Sequence, residues 1–205
     1  MAIYYGMVSF MDEQIGRILD ALDERKLSEN TLIVFTTDHG HFLGQHRLWH
    51  KGAFHYEDVL RVPFIASWPG QIAADAESEA LQSLVDLAPT FLAACDLSIP
   101  GAMQGVNQLP VWTNKVESAR DEVIVEFRHQ PTRVHLRTLV TQRYKLTIYR
   151  DQSYGELFDL QAEPNERRNL WDDAASAGVK AELFQRLAYA EVRREPTTLP
   201  RIAGA

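Results

Sequence analysis

The stretch TLIVFTTDHGHFLG, residues 31–44, decides the fold. Residues 32–36 are an unbroken run of apolar and β-branched side chains, the pattern of a strand buried on both faces. The run ends on an acid, an imidazole and a glycine: Asp38, His39 and Gly40. Ligands of open α/β sheets gather beyond the carboxyl ends of the strands, so a site is expected there. Adjacent side chains on a regular strand point to opposite faces. Asp38 and His39 can therefore serve one site only if the chain turns, and Gly40 permits the turn. A carboxylate oxygen beside an imidazole nitrogen is half of a divalent-metal site. The same dipeptide also caps strand ends, and these residues alone leave both readings open.

Upstream, Tyr4, Val8, Met11, Ile15, Ile18 and Leu22 recur in steps of four and three. This spacing predicts an amphipathic helix over residues 2–25, with Asp12, Glu13 and Asp20 off its apolar face. Downstream, residues 62–68 read as a second buried strand closed by Pro69-Gly70, and Leu84, Leu87, Ala88, Phe91 and Leu92 mark a helix. The order helix–strand–loop–strand–helix predicts an α/β unit with parallel pairing. Residues 96–120 are rich in Pro, Gly and Asn and read as an irregular boundary. Beyond them, short alternating runs at 123–127, 137–141 and 145–149 predict a small antiparallel sheet. Glu163-Pro164 opens a turn or helix, and residues 181–192 supply a last amphipathic helix. Two domains are expected, residues 1–115 and 116–205.

The chain has 205 residues, enough to bury a core without staples, and 21 basic against 28 acidic side chains. That balance leaves no basic footprint for nucleic acid. No apolar run reaches the ~18 residues of a membrane span and no signal peptide follows Met1, so no membrane partner and a cytoplasmic chain are expected. Cys95 is the single cysteine, which excludes an internal disulfide. In LAACDLSIP it reads as a helix-core residue.

The loop and strap HFLGQHRLWHKGAFHYEDVLRVP, residues 41–63, adds four histidines and an isolated Lys51. A lysine beside a metal can neutralise an anionic ester oxygen; it can equally be a solvated loop residue. His46 and His50 either shape a pocket or face solvent. Glu57 and Arg61, four apart, suit a helical ion pair. Arg128-His129, in the loop expected after EVIVEF, can reach over the pocket or lie in solvent. Tyr144-Lys145 and residues 156–159 read as cross-strand pairs and turn caps.

The segment TTDHGHFLGQHRLWHKGAFHYEDVLRVPFIASWPG resembles the second signature region of the sulfatase family, within the alkaline-phosphatase-like superfamily. Thr37, Asp38, His39, Gly40, Leu43, Gly44, His46, Leu48, Trp49, Lys51, Tyr56, Glu57, Arg61, Val62 and Pro63 all fit its pattern. YYGMVSFMDEQIGRILDALDE looks like the helix before it, and LRTLVTQRYKLTIYRDQSYGELFDLQAEPNERRNL is similar to the family's C-terminal module. The resemblance implies an incomplete alkaline-phosphatase-like set of sheet and helix layers, followed by a small antiparallel α+β module.

By the same resemblance, Asp38 and His39 are metal ligands and Lys51 contacts the sulfate. Histidine at position 39 resembles the choline-sulfatase, iduronate-sulfatase and phosphonate-monoester-hydrolase branches. A nitrogen ligand weakens the case for all-oxygen calcium coordination and makes manganese a rival. The expected substrate is a sulfate, phosphonate or phosphate monoester. The family's formylglycine nucleophile, made from Cys or Ser in C-x-P-S-R, and its N-terminal Asp-Asp pair have no counterpart here. The expectation is therefore a chain with only the C-terminal half of an active site, inactive by itself. A fragment, a shortened reading frame or one half of a split enzyme would each explain it. A complementary N-terminal half or a second copy is the expected protein partner. The alternative is a non-catalytic remnant that acts in oligomerisation or partner binding.

Overall fold

The computed structural model describes residues 1–129 and 134–194. Helix α1 (Ala2–Glu24) forms where the apolar spacing predicts it, but none of its residues is buried. Its Val8, Met11 and Ile18 are 46%, 57% and 61% exposed, so the apolar face exists without a cover among the described residues. Strand β1 (Ile33–Phe35) pairs with β4 (Ile65–Ser67) in antiparallel register, Val34 opposite Ala66.

That pairing corrects the parallel arrangement expected above. A parallel return needs a crossover of a dozen residues or more, usually a helix. Here the connection instead doubles back through the hairpin β2 (Phe42–Leu43) and β3 (Trp49–His50), then a single turn α2 (Glu57–Leu60). The expected burial of the first strand on both faces is corrected too, since Phe35 and its partner Ile65 are both exposed.

Segment 96–120 is not simply irregular. It contains α4 (Leu109–Trp112) and is pinned to the start of α3 (Leu87–Ala94) by Asp86. The buried Asp86 carboxylate accepts from the Ser83 and Val106 N–H groups and the Gln108 side-chain amide, and pairs with Arg120 at 2.6 Å. Four partners offset the desolvation of one buried charge. Cys95 is not in a helix core: it caps α3 and is exposed. Thr90 faces inward, and five residues further the helix has turned by about 140°.

The C-terminal module is a four-stranded antiparallel meander: β5 (Val123–His129), β6 (Val134–Val140), β7 (Tyr144–Tyr149) and β8 (Gly155–Asp159). Leu139, Leu146 and Leu157 lie opposite one another on three neighbouring strands. They form one core with Leu183 and Leu187 of α5 (Ala177–Arg194), one helix face built from residues four apart. Alternation then sends Lys145 and Thr147 to the other face of β7. That face is also covered, because both residues are fully or almost fully buried. The segment over it is residues 54–58, the continuation of the loop that carries Lys51. Gly155 is needed in β8: a Cβ there would lie 2.3 Å from the Trp171 ring. Among the described residues no helix is long and apolar enough to cross a membrane.

Candidate active site

The backbone turns at Gly40, whose N–H donates to the Val59 carbonyl at 2.8 Å. A Cβ at Gly40 would meet the Asp58 carbonyl oxygen at 1.9 Å, so only glycine lets α2 press this closely on the turn. The turn brings Asp38 and His39 to one side, with the Asp38 Oδ2 3.5 Å from the His39 Nε2. The other carboxylate oxygen accepts from the His39 N–H at 3.0 Å and the Thr37 hydroxyl at 3.2 Å. Burial opposes ionisation of Asp38, but the charge of a protonated His39 ring and these hydrogen bonds together hold its carboxyl below the usual range.

The third member arrives from the hairpin. Gly44 at φ 115° and left-handed backbone at His46, Arg47 and His50 fold the hairpin back sharply. For non-glycine residues that conformation is uncommon, and it clusters here on the loop with the candidate residues. Lys51 follows directly, and its Nζ lies 2.7 Å from the His39 Nε2. The His39 Nδ1 lies 2.8 Å from the Gly40 carbonyl oxygen, which can only accept, so Nδ1 carries the proton. In the neutral ring Nε2 then carries the lone pair, the form that accepts from an ammonium group or ligates a metal.

Of the sequence candidates, Asp38, His39 and Lys51 come together. His50 stands at the rim, exposed, its ring edge-on to His41 at 5.4 Å, and His41 stacks on Tyr4 of α1 at 5.8 Å. His46 turns the other way. It stacks flat on Tyr56 at 3.9 Å and faces the Asp58 carboxylate at 3.6 Å, forming a wall of the hairpin. Arg128 and His129 belong to strand β5 rather than to a loop, because the β5–β6 ladder runs on to His129 opposite Val134. Arg128 pairs with Glu126 and lines a groove with Arg137, Glu191 and Arg194; His129 stacks on Phe127. Their contacts join them to the C-terminal sheet and α5.

Asp38 and His39 present one anionic oxygen and one imidazole nitrogen on the same side of the turn, donor types that suit a divalent cation, with the Lys51 ammonium facing that nitrogen in its absence. Among the described residues no group of three or more His, Cys, Asp or Glu could hold a metal, so the described chain offers two donors.

Sequence reading missed what braces this site. Glu57 does not pair with Arg61. α2 ends after one turn, Arg61 is exposed, and the Glu57 carboxylate accepts from the Lys145 Nζ at 3.0 Å. Lys145 also pairs with Glu166, which is buried and whose other oxygen accepts from the Glu57 N–H at 2.7 Å. Burial pushes the Glu166 carboxyl up, against the pull of Lys145. His55 hydrogen-bonds with the Thr138 hydroxyl at 2.7 Å, and Tyr56 donates to Glu156 at 3.0 Å. Desolvation, reinforced by the charge of Lys145, lowers the His55 pKa to about 4.

An acid and an imidazole thus stand at a strand tip beside a lysine of the next hairpin, next to a C-terminal antiparallel sheet packed under a helix. Residues 44–193 match the family model described as N-sulphoglucosamine sulphohydrolase, C-terminal, and the chain belongs to this sulfatase family. It is 34% identical over 194 residues to the N-acetylglucosamine-6-O-sulfatase of Bacteroides thetaiotaomicron, covering 91% of this chain and 35% of that relative. To the uncharacterized sulfatase YidJ of Escherichia coli it is 33% identical over 202 residues, 95% of this chain and 39% of that one. The phosphonate monoester hydrolase of Agrobacterium radiobacter superposes with a TM-score of 0.86 at 28% identity, over 97% of this chain and 42% of that one. A protein solved with its substrate D-glucosamine-2-N,6-O-disulfate gives 0.86 at 32% identity, over 93% and 40%. The chain thus spans well under half the length of these relatives.

Proposed function

We propose that these residues form the C-terminal part of the active site of a metal-assisted hydrolase of sulfate monoesters, or of the similarly charged phosphonate and phosphate monoesters. The observation that carries this reading is the convergence of Asp38 Oδ2, His39 Nε2 and Lys51 Nζ at one strand tip. Asp38 and His39 would hold a calcium or manganese ion, with the imidazole nitrogen favouring manganese. Bound there, the cation would act as a Lewis acid toward the ester oxygens. Lys51 supplies the second positive charge, able to bind the anion and to stabilise the charge that builds on its oxygens. The exposed Asp38 leaves the approach open to an ester from solvent.

The sequence holds no C-x-P-S-R segment, and Cys95 is followed by Asp96 and Leu97. In this reading the formylglycine nucleophile does not come from these residues, which alone turn over no aryl sulfate, with or without calcium or manganese. Turnover abolished by Asp38→Ala would contradict that. Anion binding is tested by calorimetry with inorganic sulfate in the presence of manganese. Lys51→Met is expected to weaken binding about tenfold, the loss of one charge-assisted contact; unchanged affinity would count against the role of Lys51.

One observation favours a second task. Among the described residues the face of α1, with a groove along Ile18, Ala21 and Leu22, and the side chains of Phe35 and Ile65 leave apolar surface exposed. A complementary N-terminal half, or a second copy of the chain, is the proposed cover. A monodisperse monomer in light scattering that binds no apolar dye would overturn it.

A further inference from the structure

We propose that Lys145 is a positioning residue of the candidate site, holding the Asp38–His39–Lys51 cluster in register from the face of the C-terminal sheet opposite α5. The inference rests on the reading of that cluster as an active site, but the linkage itself is visible in the contacts.

Three consecutive residues dock on three different strands: His55 on Thr138 of β6, Tyr56 on Glu156 of β8, and Glu57 on Lys145 of β7. Lys145 is at the centre, 0% exposed, with its charge divided between Glu57 and Glu166. Glu57 opens the single turn of α2, and two residues on the Val59 carbonyl accepts the Gly40 N–H. Gly40 is the residue whose carbonyl receives the His39 Nδ1–H. The path from the buried ammonium to the candidate ligand therefore crosses one ion pair, one helical turn and two hydrogen bonds. A second path returns through Tyr56, which stacks on His46 in the hairpin that carries Lys51.

The arrangement explains why a lysine is tolerated in a buried strand position. A buried charge needs full pairing. A leucine or methionine there would fill space, but it would leave Glu57 free to swing out and Glu166 buried without a counter-charge. Partners one shell removed from metal ligands fix ligand orientation, and their loss typically weakens metal binding 10–100-fold.

The test uses the full 15N-labelled chain and long-range proton–nitrogen spectra of the histidine rings, with His39 assigned by comparison with His39→Gln. Without metal, Lys145→Met is expected to move the His39 Nε2 resonance away from its hydrogen-bonded position, and Lys145→Arg, which keeps the charge, to move it less. Asp86→Asn disturbs a different buried ion pair and is expected to leave His39 in place. With Mn2+ added, the concentration that broadens the His39 ring signals is expected to rise about tenfold or more in Lys145→Met. An unmoved His39 resonance in Lys145→Met, or an equal movement in Asp86→Asn, would overturn the proposal. Should Lys145→Met not fold, Glu57→Gln, which weakens the ion pair and keeps the turn, is read by the same criteria. Absence of Mn2+ broadening in the unsubstituted chain would instead count against the metal reading, with Lys145 still judged by the metal-free spectra.

Discussion

The Lys51 ammonium lies 2.7 Å from the His39 Nε2, the same lone pair that a metal ion would use. The two cations therefore compete for one nitrogen, and their like charges repel at close range. Lys51→Met is expected to strengthen Mn2+ binding several-fold, on the order of 1 kcal/mol for one hydrogen bond and a repulsion partly screened by solvent. Calorimetry of both chains checks this; weaker Mn2+ binding in the variant would mean that lysine and metal cooperate there.

Burial is uneven, and stability should follow it. Leu146 is fully buried between β6, β8 and α5, so Leu146→Ala is expected to cost about 2–5 kcal/mol. Ile18 is 61% exposed on α1, and Ile18→Ala is expected to stay within about 0.5 kcal/mol. Urea denaturation of the two variants measures the difference. Comparable losses would show that the α1 face is covered in solution.

His55 gives a pH dependence of definite sign. Its pKa falls from 6.5 to about 4 on folding, so between those values the unfolded chain binds more protons than the folded one. Stability then rises with pH across this window. The contribution of His55 is complete above pH 6.5 and is lost as pH falls toward 4, by up to about 3 kcal/mol. The difference in unfolding free energy between the chain and His55→Gln, measured at pH 7 and pH 4.5, isolates it. A difference that does not change with pH would remove His55 from the account.

Gly40→Ala tests the close approach of α2 to the turn. The added carbon would meet the Asp58 carbonyl oxygen at 1.9 Å, so backbone must move. A loss of about 2 kcal/mol or more in stability is expected, the range of strained or overpacked substitutions. A neutral variant would show that the turn is looser than described.

Much of this was legible in the sequence because local periodicity reports local structure. The steps of four and three gave α1, the alternating runs gave strands of the C-terminal sheet, and the acid–imidazole–glycine sequence marked the turn. What escaped depends on partners far along the chain. In YKLTIY alternation separates Lys145 and Thr147 from Leu146, but the pattern does not show what covers either face. The lysine face is buried by the docking of His55, Tyr56 and Glu57, the last 88 residues from Lys145. Glu57 itself looked like a partner for Arg61, because spacing cannot show that α2 lasts a single turn. The antiparallel return of β4 was hidden for a related reason: a loop's path is set by its tertiary contacts. Cys95 follows apolar neighbours in sequence yet points outward on the last turn of α3.

The central claim is that Asp38 and His39 offer one cation a shared position beside Lys51. A crystal of the chain soaked in Mn2+, with anomalous scattering recorded at the manganese edge, tests it most directly. The account predicts a peak in contact with both Asp38 Oδ2 and His39 Nε2, lost in Asp38→Ala. Manganese bound elsewhere only, or a peak that survives that substitution unchanged, would contradict it.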